Sequence, residues 1–366
     1  MAAPYVQRIR KINKDKNSGL STDDGKINIV FDPVQLGFPR GNIQGMDVSA
    51  DGTIYAADYY NDVIYKIPAN GGGTSGGVTT VYVKGALAGK THTTGDTAIS
   101  GLDDATAPST GTLPVNVASL NGPKGLCVDA SNNIYVVDAG VYKIKKVSSS
   151  GRVQTLCGGG ANGSTAGDVV STNPLLCEFT SITGICVDRA GTLYVCDTGV
   201  NKIKKVSASG QLAVLAGGGV RSGSPYAGMA NGNGNTAAFH TATDVAVDRN
   251  GNVYVADSLN YRIRKIDPAG NVTTLAGSAQ GFVDGGTSNT NAPNARFYAP
   301  SRLCIDYSEQ FLYVLDGPNA NNYAIRRVTM NGVVNTFWTW TTSAVSLGDI
   351  ACDRSGNVYY VETFTS

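Results

Sequence analysis

Short apolar runs recur from one end of the chain to the other, each closed by an acidic residue and parted from the next by glycine and asparagine. One set reads Gly125-Leu126-Cys127-Val128-Asp129, Gly184-Ile185-Cys186-Val187-Asp188, Asp244-Val245-Ala246-Val247-Asp248, Arg302-Leu303-Cys304-Ile305-Asp306 and Asp349-Ile350-Ala351-Cys352-Asp353. A first copy, Gly45-Met46-Asp47-Val48-Ser49, carries Ser in the Asp position. Nine residues after that position a second acid ends another run, at Asp58, Asp138, Asp197, Asp257 and Glu362, and one residue later at Asp316. Runs such as Val253-Tyr254-Val255-Ala256 have the β-branched and aromatic content of strands. The Gly251-Asn252, Gly356-Asn357 and Asn132-Asn133 pairs between them supply the φ-tolerant residues of tight hairpins.

A third strand follows each hairpin, as in Arg262-Ile263-Arg264-Lys265-Ile266, and a fourth follows a further glycine, as in Gly270-Asn271-Val272-Thr273-Thr274-Leu275. Each unit is therefore a four-stranded antiparallel meander. The turn aspartates 129, 188, 248 and 306 step by 59, 60 and 58 residues, so six units tile the 366 residues. Repeated four-stranded units predict an all-β, six-bladed β-propeller. Residues 348–362 hold only two strands of a unit, and residues 7–12 and 26–31 match the missing third and fourth. The sequence thus predicts one ring over 1–366: blades at 43–83, 123–157, 182–217, 243–277 and 302–337, and a closing blade made of 348–366 with 5–31. Interlocked ends leave no open strand edge at the seam.

The stretch Asp248-x-x-Gly251-Asn252-Val253-Tyr254-Val255-Ala256-Asp257-x-x-Asn260-x-Arg262-Ile263-Arg264-Lys265-Ile266 resembles the consensus of the NHL repeat. The segment before the next unit (Ala276-Gly277-Ser278, Phe282, Asp284-Gly285, Ala295-Arg296-Phe297, Pro300) is similar to the inter-repeat loop of bacterial NHL proteins. The resemblance implies a propeller, and a function among protein-binding scaffolds, RNA-binding domains, extracellular sensors and amidating lyases. The amidating branch relies on a histidine-built zinc site. His92 and His240 are the only histidines here, too few for a three-histidine site.

Charge narrows the classes. With 29 Lys and Arg against 28 Asp and Glu, the net charge is +1, which disfavours nucleic acid as a partner. No apolar stretch suits membrane insertion. The first residues lack the apolar core of a secretory signal, so the expectation is synthesis in the cytosol and a place there, or in a virion, tail or other assembly. Seven cysteines sit mostly inside strand-like runs and read as buried, reduced thiols. Cys127, Cys186, Cys304 and Cys352 are expected in one equivalent position, too far apart to bond, and Cys157 and Cys177, nearer loops, form the more reactive pair.

Residues that recur in every blade read as structural. Asp58, Asp138, Asp197, Asp257, Asp316 and Glu362 are expected to cap turns, each worth about 1 kcal/mol. The third-strand Arg and Lys read as a solvated, salt-bridged face, and Phe179, Phe239 and Phe297 as packing plugs between blades. Function is then expected in residues that do not repeat, in the long links near 84–122, 158–181, 218–242 and 278–301, which should build up one face of the ring. Candidate binding residues there are His92, Arg221, Tyr226, His240, Arg296 and Tyr298, with Trp338 and Trp340 near a short link. The leading expectation is a non-catalytic structural or interaction module for a protein or glycan partner, or for copies of itself. The alternative is a small-molecule hydrolase or lyase at the mouth of the central channel. No cofactor is predicted, with a divalent cation in the channel left open.

Overall fold

A computed structural model describes residues 5–13, 27–31, 41–69, 79–82, 113–114, 120–149, 152–160, 167–219, 228–285, 294–319, 322–340 and 345–365. His92, Arg221, Tyr226 and most of the 84–122 link lie outside them. The first hairpin of every blade but the first, where Ser49 and Asp51 share the role, is organised by its turn aspartate. Asp248 Oδ1 accepts the backbone N–H groups of Asn250 (2.9 Å) and Asn252 (2.8 Å), while Oδ2 accepts Asn252 Nδ2 (2.7 Å) and the Tyr254 hydroxyl (3.0 Å). Gly251 turns through φ +79°, open to glycine at no steric cost. The spacing Asp-x-x-Gly-Asn-x-Tyr is the record of these bonds, and Asp353 repeats them with Asn357 and Tyr359.

The strands form six antiparallel sheets. In the fourth blade Ala242–Val247, Val253–Asp257, Arg262–Ile266 and Asn271–Ala276 lie side by side from the axis outward. The innermost strands Ile43–Val48, Pro123–Val128, Ile182–Val187, Ala242–Val247, Pro300–Ile305 and Val345–Cys352 touch one another in that order, and the last returns to the first. They approach closely: a Cβ on Gly45 would stand 2.1 Å from the Lys124 carbonyl oxygen, which only glycine tolerates. The closing sheet joins both ends of the chain, with Tyr5–Ile12 paired along its length to Val358–Thr365, from Tyr5 opposite Thr365 to Ile12 opposite Val358. Apolar side chains from facing sheets fill the spaces between blades, so that Ile9, Phe31, Ile43, Tyr65 and Val361 share one cluster across the seam. The two tryptophans belong to this packing: Trp340 meets Tyr360 edge-on, with ring centres 5.0 Å apart, between the fifth and closing blades.

Two expectations change. The third strand is not a uniformly solvated face: Lys145, Lys204, Arg264 and Arg326 are at most 2% exposed. Each stands one residue beyond a register shift against the fourth strand, at Ile144/Lys145, Ile203/Lys204, Ile263/Arg264 and Ile325/Arg326. In each the extra residue lies in the fourth strand (Leu156, Leu215, Leu275 and Phe337), while the third strand keeps regular register with the second at the cation, which is held inside the blade by the acid that ends the second strand.

The long links, moreover, do not all stay on one face. Leu113–Pro114 and Gly232–Asn233 add a short fifth strand to the outer edges of the second and fourth blades, and Gly285 bridges to Val334 on the outer strand of the fifth. A link thus runs down the outside of the blade it is about to enter and covers an edge that could otherwise pair with another chain.

Removing residues 1–31 takes away two strands and opens the ring. Truncation is expected to lower the unfolding midpoint in urea and broaden the transition. Ile9→Ala in the intact chain, at a fully buried position, should cost about 3 kcal/mol. A truncated ring with unaltered unfolding would contradict closure by the termini.

Candidate functional site

The acids that end the second strands sit at the loop-rich end of the ring, and each gathers several elements. Asp257, fully buried, accepts the backbone N–H of His240 (2.7 Å), Asn260 Nδ2 (2.8 Å) and Arg264 Nη1 (2.8 Å). Arg264 in turn donates to the Ala230 and Ala238 carbonyls and to Asn231 Oδ1, all in the incoming link, and its guanidinium lies 5.4 Å from the centre of the Phe239 ring. The fifth blade repeats the device with Asp316, Arg326, Asp284 and Phe297, and the third with Asp197, Lys204, Asp168 and Phe179. In the second blade the pair is Asp138 with Lys145 (3.0 Å), in the closing blade Glu362 with Arg10, and in the first the Tyr65 hydroxyl replaces the cation at Asp58 (3.0 Å). Burial pushes the Asp257 carboxyl above its ordinary range, against the opposing pull of the His240 N–H and Arg264, and lifts Asp316 to about 6.

His240 and Tyr298 each follow a plug phenylalanine, and the backbone N–H of each donates to the buried acid, as that of Thr180 does to Asp197. They therefore occupy equivalent positions at the channel mouth. Tyr298 stacks on Phe282 with ring centres 5.6 Å apart. Arg296 is exposed beside them, its backbone paired with Val283.

The channel holds residues the repeat pattern passed over. Asp47, Asp244, Asp349 and Arg302 line a cavity of about 190 Å³ between the innermost strands. Their carboxylates clip adjacent blades together: Asp47 Oδ2 accepts Val128 N (2.8 Å), Asp244 Oδ2 accepts Leu303 N (2.9 Å) and Asp349 Oδ2 accepts Met46 N (2.6 Å). Arg302 Nε stands 3.7 Å from Asp349 Oδ1. Burial raises all three acids, Asp47 to about 6, and Asp349 is raised further by the charge of Asp244. Lys124 nearby is held below its ordinary range by burial and by Arg302. The signal was available, since Asp244, Arg302 and Asp349 stand where Gly45, Gly125 and Gly184 stand in the other blades. The Asp244 side chain fills the space left by Gly184, whose Cβ would lie 2.3 Å from its Oδ1. Among the described residues no three His, Cys, Asp or Glu side chains are grouped to hold a metal ion.

The thiols differ from expectation in one pair. In the innermost strand the residue two before the turn aspartate faces the following blade, and the residue one before it faces the preceding blade. Cys127 packs near Val187, Cys186 near Val247, Ala246 near Ile305 and Ala351 near Val48 in this way. Cys352 is the second kind of position, because Ala351 takes the first. Cys304 and Cys352 therefore face each other across one junction, Sγ to Sγ 2.7 Å, and are not kept apart as equivalent positions would be. Cys157 and Cys177 also meet side chain to side chain, yet both are fully buried.

Asp257→Ala strands a buried guanidinium and is expected to cost about 4 kcal/mol, well above an exposed turn cap, whereas pairing it with Arg264→Leu should recover much of that loss. A double-mutant cycle by urea unfolding measures the coupling. The channel acids set a pH dependence. Their folded pKa values lie above the unfolded 3.8, so the folded state binds more protons and stability falls as pH rises through about 6 and beyond. Thermal midpoints are expected to be higher near pH ~5 than near pH ~8, and Asp349→Asn should flatten the slope.

Comparison with known proteins agrees with this architecture. A family profile described as NHL repeat matches residues 239–266. Teneurin-4 of Mus musculus is 28% identical over 236 residues, which is 57% of this chain and 8% of that protein. NHL repeat-containing protein 2 of Bos taurus is 35% identical over 138 residues, 37% of this chain and 18% of that protein. This chain thus corresponds to a small part of either relative's length. The crystal structure of a nidogen/laminin complex contains a chain that superposes with a TM-score of 0.54 at 12% identity, covering 98% of both chains, which speaks for the fold alone. Repeat motif, hairpin chemistry and ring closure together make the chain a six-bladed β-propeller whose residues 239–266 match the NHL repeat.

Proposed function

We propose that this propeller is a recognition or assembly module, a rigid ring that binds a protein through a link running down its outer edge and works without a resident cofactor. The observation that carries the reading is an apolar ledge on the link between the second and third blades. Val169, Val170, Leu175 and Leu176 are 43–51% exposed. They are held in place: Glu178 N donates to the Val169 carbonyl (2.9 Å), Asn173 Oδ1 caps the short helix Pro174–Leu176 through Leu175 N (3.1 Å), and Gln211 of the next blade bonds the Thr172 carbonyl (2.9 Å). Fixed aliphatic side chains facing water suit a partner that covers them, and a protein or a further copy of the chain fits better than a polar glycan.

The channel acids favour a second reading, a hydrolase or lyase using a carboxyl that stays protonated near neutral pH. The backbone bonds from the neighbouring blades count against it, because they occupy these acids in holding the ring.

Leu175→Asp with Leu176→Asp should abolish recovery of the native complex, or self-association followed by light scattering, while changing stability by no more than about 0.5 kcal/mol. Asp47→Asn should leave binding intact. The reverse pattern, binding lost with Asp47 and kept without the two leucines, would move the site into the channel.

A further inference from the structure

We propose that Cys304 and Cys352 form an oxidisable dithiol that closes covalently across the junction of the fifth and closing blades, the ligand class being a small two-electron oxidant such as a peroxide. Neighbouring blades are clipped at the axis by side chains that reach from one innermost strand to the next: Asp47 from the first to the second, Thr183 Oγ1 to the Thr243 carbonyl (2.8 Å) from the third to the fourth, Asp244 from the fourth to the fifth, and Asp349 from the closing blade to the first. Between the fifth blade and the closing blade the long ion pair of Arg302 with Asp349 (3.7 Å) is joined by two sulfurs 2.7 Å apart. They meet because the two cysteines stand one position out of step in their strands, which aims one forward and the other back.

Access and proximity favour this pair. Cys304 and Cys352 are half-buried and line the channel cavity, whose volume of about 190 Å³ admits a peroxide, whereas the touching thiols of Cys157 and Cys177 are fully buried. A peroxide R–O–O–H takes a sulfur electron pair from one thiol. Its O–O bond breaks, giving a sulfenic acid and R–O–H. The second thiol then attacks that sulfur, the S–O bond breaks, water leaves with the remaining proton, and the S–S bond forms. Two thiols and one peroxide thus yield one disulfide, one R–O–H and one water. Burial and the neighbouring Cys352, Asp349 and Asp47 hold the Cys304 thiol well above its ordinary range, so little of it is thiolate near neutral pH and the first oxidation is slow, while the second sulfur at 2.7 Å favours closure over further oxidation.

A bond here ties Pro300–Ile305 to Val345–Cys352, the one innermost strand whose blade is completed by the far end of the chain. Oxidation should therefore slow opening of the seam. The test treats the folded full-length chain with hydrogen peroxide and maps peptides by mass spectrometry without reduction. The expected product is an intramolecular Cys304–Cys352 cross-link, absent from Cys304→Ser and reversed by dithiothreitol. Hydrogen exchange in Val345–Cys352 and Val358–Thr365 should slow by at least tenfold on oxidation of the wild type and stay unchanged in Cys304→Ser. Over-oxidised Cys304 or Cys352 without a cross-link, a cross-link confined to Cys157 and Cys177, or a cross-link with unaltered exchange would each overturn the proposal.

Discussion

The buried acid at the end of each second strand is the contact on which the rest of a blade depends. In the Asp257 set one carboxylate holds the end of the incoming link, the turn into the third strand and a buried guanidinium. A charge pair taken out of water contributes little stability by itself, since desolvation offsets much of the attraction. Its effect is on geometry. Arg264, bonded through its two terminal nitrogens to Asp257, two link carbonyls and Asn231, leaves the link one path across the blade, with Phe239 beneath the guanidinium. Repetition of this set then places the channel-mouth residues of successive blades in register.

That arrangement explains where the sequence was legible. Strand order, blade number and the composite seam follow from features that recur, and recurrence is what a periodic reading detects. The buried acids were visible at their nine-residue spacing, but their partners were not, because Arg264 or Lys204 looks like any solvated strand residue until the incoming link that covers it is placed. The path of the links also stayed hidden, since nothing in glycine- and threonine-rich text records that Gly232–Asn233 pairs with the outer edge of the next blade.

The channel offers a sharper lesson. Function was sought in residues that break the repeat, and the search was confined to the links. Asp244, Arg302 and Asp349 break it inside the innermost strands, where glycine in the other blades marks the lack of room. Cys352 breaks it by a single residue, and in a strand one residue is a change of face. Grouping it with Cys127 by similarity of context therefore reversed the direction of its side chain.

Force would meet this ring in an uneven way. Tyr5 stands opposite Thr365 at one end of an antiparallel pair, so tension applied between the two chain ends loads the bonds of that pair one after another, as in opening a zipper. The five blades that are each made from one continuous segment are shielded until that pair has peeled apart. A polypeptide continued from either end would leave the ring at a single point, and pulling on both extensions would make the composite blade a mechanical fuse that yields before the scaffold does.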